Sequence, residues 1–287
     1  MIVEQVINGL SLGATYALVA AGLAMIFGVL EIVNFAHGEF FMIGSYLFFV
    51  LYVTTHLPYP LAGALTVLLM GGFGALFELL VIRPVVHRTW QTQLVATLGA
   101  SVLFVNAAIV IFGTFPQRAP TPLVAETWGI GSIRISEQRV LLFLVTLLAF
   151  LVLHWFVRNT KLGKAMRAVS QNREACAALG IDVQKVAIVT FAIGAGLVGL
   201  ASTLAAPLAN ITPTMGSLLT VKAFAVVIMG GFGRVSGAVI SAFILGIAEA
   251  LSIQYISSGY VDAIAFLIML AVLLLRPSGL FGRTVGI

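Results

Sequence analysis

The chain has 287 residues, 61% of them hydrophobic and only 9% charged, with a formal net charge of +5 and a mean hydropathy of +1.13. A soluble globular domain carries about 25% charged residues, so the composition excludes a soluble enzyme and specifies an integral membrane protein. The small surplus of bases falls in the connections between apolar runs, which excludes nucleic-acid binding and assigns it to orientation and contact with anionic membrane lipid. Cys176 is the single cysteine, so an internal disulfide is excluded, and a lone thiol suits the reducing side of a membrane.

A bilayer-spanning helix needs about 20 mainly apolar residues. Residues 6–33 form the first expected span, with Gly9, Gly13 and Gly22 offering close approach to neighbours. No basic region precedes it, so it reads as an uncleaved span rather than a signal peptide. Asn34-Phe-Ala-His-Gly-Glu39 interrupts the run and residues 40–52 resume it. Pro58 and Pro60 mark a turn into residues 61–82, where Glu78 lies about one helical turn from Arg83 and is expected to pair with it. Residues 83–88 are a short basic connection, and 93–112 make the next span. Residues 114–139 read as an external loop with a short hairpin at 130–135 and Trp128 at the interface. Residues 140–157 cross back and 186–206 cross out again. After an outer turn at 207–216, residues 218–229 are too short for a comfortable crossing; 238–253 and 261–275 follow. The sum is an all-α polytopic transmembrane helix bundle of about 8–9 spans with broken helices, forming a single domain.

The basic stretch 158–185 concentrates Arg158, Lys161, Lys164, Arg167, Arg173 and Lys185. Such an excess of Lys and Arg marks the cytoplasmic side. Alternation of spans places residues 83–88, and Arg276 with Arg283, on that same side. The amino terminus is outside if residues 40–52 cross fully and inside if they re-enter. Within the basic stretch Thr160 can cap a helix, Leu162, Met166, Val169, Cys176 and Leu179 recur at helical spacing, Gly180 can end it, and Asp182 can cap the next. The stretch reads either as one amphipathic docking helix over residues 161–179, or as a solvated basic loop that only sets orientation.

Ionisable groups within spans cost roughly 2.5–3.5 kcal/mol at mid-bilayer and start as functional candidates. Lys222 sits in the short helix with no acid nearby in sequence. Asn34, His37 and Glu39 sit in the first break, where helix dipoles can face a zwitterionic substrate. Glu249 and Asp262 flank the turn 254–260 and are expected to snorkel or cap at the outer surface. His56, His87 and His154 fall at span ends. The glycine-rich breaks 34–44 and 230–237 form a pair of interruptions of the kind that marks a translocation pathway. There is no G-x-x-x-x-G-K-[ST] phosphate loop and no Cys/His cluster with metal-ligand spacing, so no cofactor is expected.

Glu174-Ala-Cys-Ala-Ala-Leu-Gly180 resembles the EAA-x-x-x-G loop of ABC importer permeases, with Cys176 in place of the second Ala. Asn34-Phe-Ala-His-Gly-Glu39 with Met42 and Gly44, Gly163-Lys-Ala-Met-Arg-Ala-Val-Ser-Gln-Asn172, Lys222-Ala-Phe, Gly230-Gly-Phe-Gly233 and Arg276-Pro-Ser-Gly-Leu-Phe-Gly282 together resemble the branched-chain amino acid ABC permease family, in particular its smaller permease subunit. The resemblance covers nearly the whole chain; it departs at Cys176 and at Arg234, where family members often carry Ser. It implies an importer half in a bacterial plasma membrane. Its partners would be a second, longer permease subunit, two cytoplasmic ATP-binding subunits, and a periplasmic or extracellular substrate-binding protein. Coupling to the ATPases then falls to Gly163, Lys164, Arg167, Gln171, Asn172, Glu174 and Gly180, and the pathway candidates are Asn34, His37, Glu39 and Lys222. Uptake of urea or short amides is the alternative within the family. An ion-coupled secondary transporter is the alternative outside it, and would leave the large basic loop without a purpose.

Overall fold

Helix α1 (Ile2–Leu30) threads the middle of the bundle and is buried along most of its length, whereas α4 (Trp90–Phe112) and α6 (Glu137–Asn159) turn most of their surface outward. The computed structural model describes residues 2–130 and 133–281; the hairpin tip at Gly131 and Ser132, and Gly282 and Arg283 of the tail, lie outside the described residues. The outward surfaces of α4 and α6 are apolar, with Val95, Leu103, Val110, Leu144, Leu151 and Trp155 exposed, as helices that border lipid or a membrane partner require.

Helices α2 (His37–Phe49) and α3 (Tyr59–Phe77) each continue into a π turn, Val50–Thr54 and Glu78–Ile82. After α4 come a single turn α5 (Pro122–Ala125), the hairpin β1 (Thr127–Ile130) and β2 (Ile133–Ser136) paired with Thr127 opposite Ser136, and then α6. The basic stretch forms α7 (Lys161–Val169) and α8 (Arg173–Ala178), and α9 (Val183–Ala205), α10 (Met215–Gly230), α11 (Val235–Tyr255) and α12 (Val261–Leu275) complete the order. Seven helices are long and apolar enough to cross a bilayer, and α10 and α12 add two shorter apolar helices among the described residues. The bundle is therefore all-α and polytopic, with broken helices.

Contacts distinguish the two ends. At one, the Arg83 guanidinium donates to the Gln184 side chain, Gly163 brings α7 onto the last turn of α6, Gly28 meets Gly233, and Leu280 N donates to the Met229 carbonyl at 2.8 Å. This basic end holds residues 83–89, 160–182 and 276–281. At the far end Gln5 bonds Gln254, the Arg139 guanidinium donates to Asn8, and Gln117 and Ile211 form an antiparallel bridge. Because α1 starts at the far end, the amino terminus lies opposite the basic segments, and residues 31–54 together cross rather than re-enter, with α2 and its π turn covering the far half.

Four expectations change. The first break is residues 31–36, and His37 to Glu39 already belong to α2; Asn34 Oδ1 accepts from Ala36 N at 3.0 Å and turns the chain one residue before the helix begins. Residues 230–237 are not a second mid-depth break. There the backbones of Gly230 and Gly237 touch, Gly233 lies on Gly28, and the segment is a tight turn at the basic end. The expected single docking helix is two helices, since Asn172 Oδ1 accepts from Ala175 N at 2.8 Å and starts a new helix where a continuous one would pass. Leu179, expected on its apolar face, is 82% exposed. The other expected boundaries in this stretch hold: Thr160 and Asp182 accept from Gly163 N and Lys185 N, and Gly180 has φ +80°. Glu78 is buried and keeps an oxygen without a hydrogen-bond partner; Arg83 hydrogen-bonds Gln184, but its charge, with that of Arg173, still acts on Glu78.

Close packing of α1 on α11 holds the centre together. A Cβ added to Gly13 would lie 2.8 Å from Phe243 Cα, a clash with backbone that no rotamer change relieves. Gly13→Val is expected to destabilise the bundle by about 3 kcal/mol or more, at or above the usual range for overpacking, and to lower the melting temperature in detergent. Gly72→Ala, at a site with nothing within 4 Å, serves as the neutral control. For orientation, single-cysteine labels in residues 83–88 and 161–182 are expected to react only from the cytoplasm, and labels in residues 114–129 only from outside; reactivity of both sets from one side would overturn the arrangement.

Candidate functional site

The start of α2 is anchored at mid-depth. His37, fully buried, places Nε2 3.0 Å from the carbonyl of Val19 in the middle of α1, and Gly38 N donates to Thr220 Oγ1 at 3.1 Å. Glu39, also fully buried, accepts at Oε1 from Ser101 of α4 at 3.1 Å and from Ser217 of α10 at 2.9 Å. Helix α2 runs from mid-depth to the far end and α10 runs toward the basic end. Their first turns meet here, with Glu39 in the first turn of one and against Gly216 in the first turn of the other. Both helix N-termini present partial positive charge, so the carboxylate sits where two dipoles favour it. The true counterpart of the first break is thus the loop before α10. Asn34 and His37 act here as struts; Glu39, with the hydroxyls of Ser101 and Ser217, is the polar centre.

Lys222 stands in a separate cluster. It lies two residues beyond Thr220 on α10 and so projects from nearly the opposite face. Its Nζ is 2.9 Å from Glu249 Oε1 of α11 and 2.9 Å from Asp262 Oδ1 of α12. Tyr16 of α1 donates to Glu249 Oε2 at 2.7 Å and receives Lys222 at 3.3 Å. The geometry follows from helix polarity: α1 and α11 are antiparallel, and side chains lean toward their own helix N-termini, so Tyr16 and Glu249 lean toward each other. The expectation of a surface position is therefore corrected for Glu249, whereas Asp262 keeps a half-exposed place in the first turn of α12 while also pairing with Lys222. Glu249 is 1% exposed and, with Asp262, pairs with Lys222 across three helices. Removing one partner of such a buried pair typically costs about 3–5 kcal/mol. Tyr16, Ser101 and Ser217 carried no sequence signal; the two acids did, since a buried lysine requires a counter-ion and few acids remain on that half of the chain.

A cavity of about 610 Å3 adjoins this cluster. Lys222, Tyr16 and the hydroxyls of Ser11 and Thr15 line it beside Leu12, Phe41 and Leu219, and Asn8, Arg139 and Asn210 stand toward its far end. It offers a cation and hydroxyls against an aliphatic wall. Asn34, His37 and Glu39 do not line it.

At the basic end, Gly163 is buried against the backbone of Phe156 and Val157, while Lys164, Gln171, Asn172, Glu174 and Gly180 are exposed. Met166, Val169 and Cys176 fix α7 and α8 to the bundle. Arg167 donates to the Arg158 carbonyl at 3.3 Å and is itself exposed. The exposed surface thus includes Lys164, Arg167, Gln171, Glu174 and the apolar Leu179.

Comparison with known proteins is consistent along the whole chain. The family described as Branched-chain amino acid transport system / permease component matches residues 5–273. The high-affinity branched-chain amino acid transport system permease protein LivH of Salmonella typhimurium is 34% identical over 98% of this chain and 95% of its own length. The corresponding permease protein BraD of Pseudomonas aeruginosa is 33% identical over the same shares. The ribose import permease protein RbsC of Escherichia coli matches more distantly, at 28% over 61% of this chain. No solved structure gives a significant match. With the family spanning all but the ends and relatives at a third identity over nearly the full length, this chain belongs to the permease components of branched-chain amino acid transport systems.

Proposed function

We propose that this protein is a permease subunit of an ATP-driven importer in a bacterial inner membrane, carrying branched-chain or other aliphatic amino acids inward. The observation that carries the reading is the full-length match to branched-chain amino acid permeases. The cavity supports it, since an amino acid needs a charged contact and an aliphatic surface together. A second, longer permease subunit completes the path, and an external substrate-binding protein delivers the amino acid to the far end. Two ATP-binding subunits dock at the basic end. The relatives favour aliphatic amino acids over urea or short amides. An ion-coupled mechanism would leave the capped, exposed helix pair α7–α8 without a role.

Helices α7 and α8 are the proposed coupling element. They meet the ATPases through Lys164, Gln171, Glu174 and Leu179, while Gly163 seats α7 on the bundle and Asn172 and Gly180 set the ends of α8. Arg167, exposed and bonded to the Arg158 carbonyl, adds a base to this surface. A helix pair capped at each end moves as a body, so its geometry outweighs any single exposed charge, worth only about 0–1 kcal/mol.

Deleting the gene is expected to abolish high-affinity uptake of leucine, isoleucine and valine. Uptake in vesicles should persist when the proton gradient is collapsed and ATP is maintained. Retained aliphatic uptake with lost urea uptake would move the assignment. At the coupling element, Gly180 sits at φ +80° with nothing within 4 Å of an added Cβ, so any penalty there is conformational and not steric crowding by neighbours. Gly180→Val is expected to cost about 1–2 kcal/mol locally, uncouple transport and weaken ATPase co-purification. Gly180→Asn, which tolerates the left-handed region, should be milder, as should Glu174→Gln; normal transport by Gly180→Val would refute the coupling role.

A further inference from the structure

The three charges joined at Lys222 are not equivalent. Glu249 is buried mid-helix and doubly held, by Lys222 at 2.9 Å and by Tyr16 at 2.7 Å. Asp262 opens α12, its side chain is 49% exposed, and within the cluster Lys222 alone joins it. Glu249 is thus a fixed counter-ion and Asp262 a removable one. Lys222 borders the far-end cavity, whereas neither acid does. A molecule in the cavity that touches Lys222 Nζ is therefore one ion pair away from the Asp262 carboxylate, and meets that acid only by opening the 2.9 Å Lys222–Asp262 contact.

Electrostatics selects what can enter there. A carboxylate alone would add a third negative charge around one ammonium, and an amine alone would compete with Lys222 for its acids. A zwitterion adds no net charge and can separate Lys222 from Asp262 while leaving each paired, which avoids the penalty of an unpaired buried charge. The cavity wall beside Lys222 is aliphatic and aromatic, with Leu12, Phe41, Leu219 and Ile253.

Resting on the importer reading above, we propose that an aliphatic α-amino acid is read by insertion into the Lys222–Asp262 ion pair. Its carboxylate takes the ammonium of Lys222 and its ammonium takes the carboxylate of Asp262. Its side chain lies against Leu12, Phe41 and Leu219. Glu249 and Tyr16 hold Lys222 in place as the substrate arrives and leaves. No proton moves and no covalent bond changes. The site reads the backbone of the amino acid, while the hydrophobic wall tolerates different aliphatic side chains, since one methylene changes affinity only about 10–200-fold.

The test uses the assembled transporter in nanodiscs and proteoliposomes, with Cys176→Ser and a single probe cysteine, Leu219→Cys, or Ile253→Cys should the first disturb assembly. Modification by a small neutral maleimide is expected to slow about tenfold or more in saturating leucine, and to be unchanged by isocaproate, which lacks the ammonium, or leucinamide, which lacks the carboxylate. Asp262→Asn should remove the protection by leucine, and Asp262→Glu should retain it, with all variants copurifying with their partner subunits. Equal protection by leucine and both analogues, undiminished protection in Asp262→Asn, or no protection in a preparation that transports leucine would each overturn the proposal. Loss of leucine transport by the parent preparation itself would instead refute the importer reading, so the two failures are distinguishable.

Discussion

Hydrocarbon offers no hydrogen bonds, so every polar group inside this bundle must find its partner in the protein, and helices must approach closely enough for side chains to reach. Helix α1 meets that demand at the centre. Its small residues let α9, α10 and α11 close around it, down to backbone contact at Gly13 and Gly246. Only with that spacing does Tyr16 reach Glu249 and His37 reach the Val19 carbonyl. The same tight centre leaves the apolar stripes of α4 and α6 facing lipid.

Two polar centres follow, at different places and with different characters. Around Glu39 the partners are neutral hydroxyls and helix N-termini, and the group ties the starts of two half-helices together at mid-depth. Around Lys222 the partners are full charges from α11 and α12. The first is enclosed by backbone; the second borders a cavity. A buried ion cluster is weak evidence of stability, since apolar replacement is often neutral or stabilising. Its adjacency to the cavity gives it a role that packing alone does not supply.

The basic end follows a different logic. Helix caps at Thr160, Asn172 and Asp182 satisfy the orphaned amides of three successive helices, and a buried apolar face pins the pair to the bundle. What remains outward is small, polar and well formed, with Leu179 as its one large apolar side chain. Such a surface suits a partner that pushes on a rigid element.

By itself the sequence determined the class, the apolar segments, the orientation of the basic connections and most helix ends, because hydropathy, charge and capping are local properties carried by neighbouring residues. The motifs from Asn34 to Gly282 also pointed to the family. Tertiary structure alone decided that residues 31–54 together cross and that residues 230–237 turn at the basic end, whereas the division of the docking stretch follows from the local cap at Asn172. Above all it decided who meets Lys222. Tyr16, Glu249 and Asp262 lie as far as 206 residues from Lys222 in sequence, and nothing local selects among acids on different helices. That choice belongs to the crossing of α1, α10, α11 and α12, where side chains from antiparallel helices converge on one point in a medium that leaves no charge unpaired.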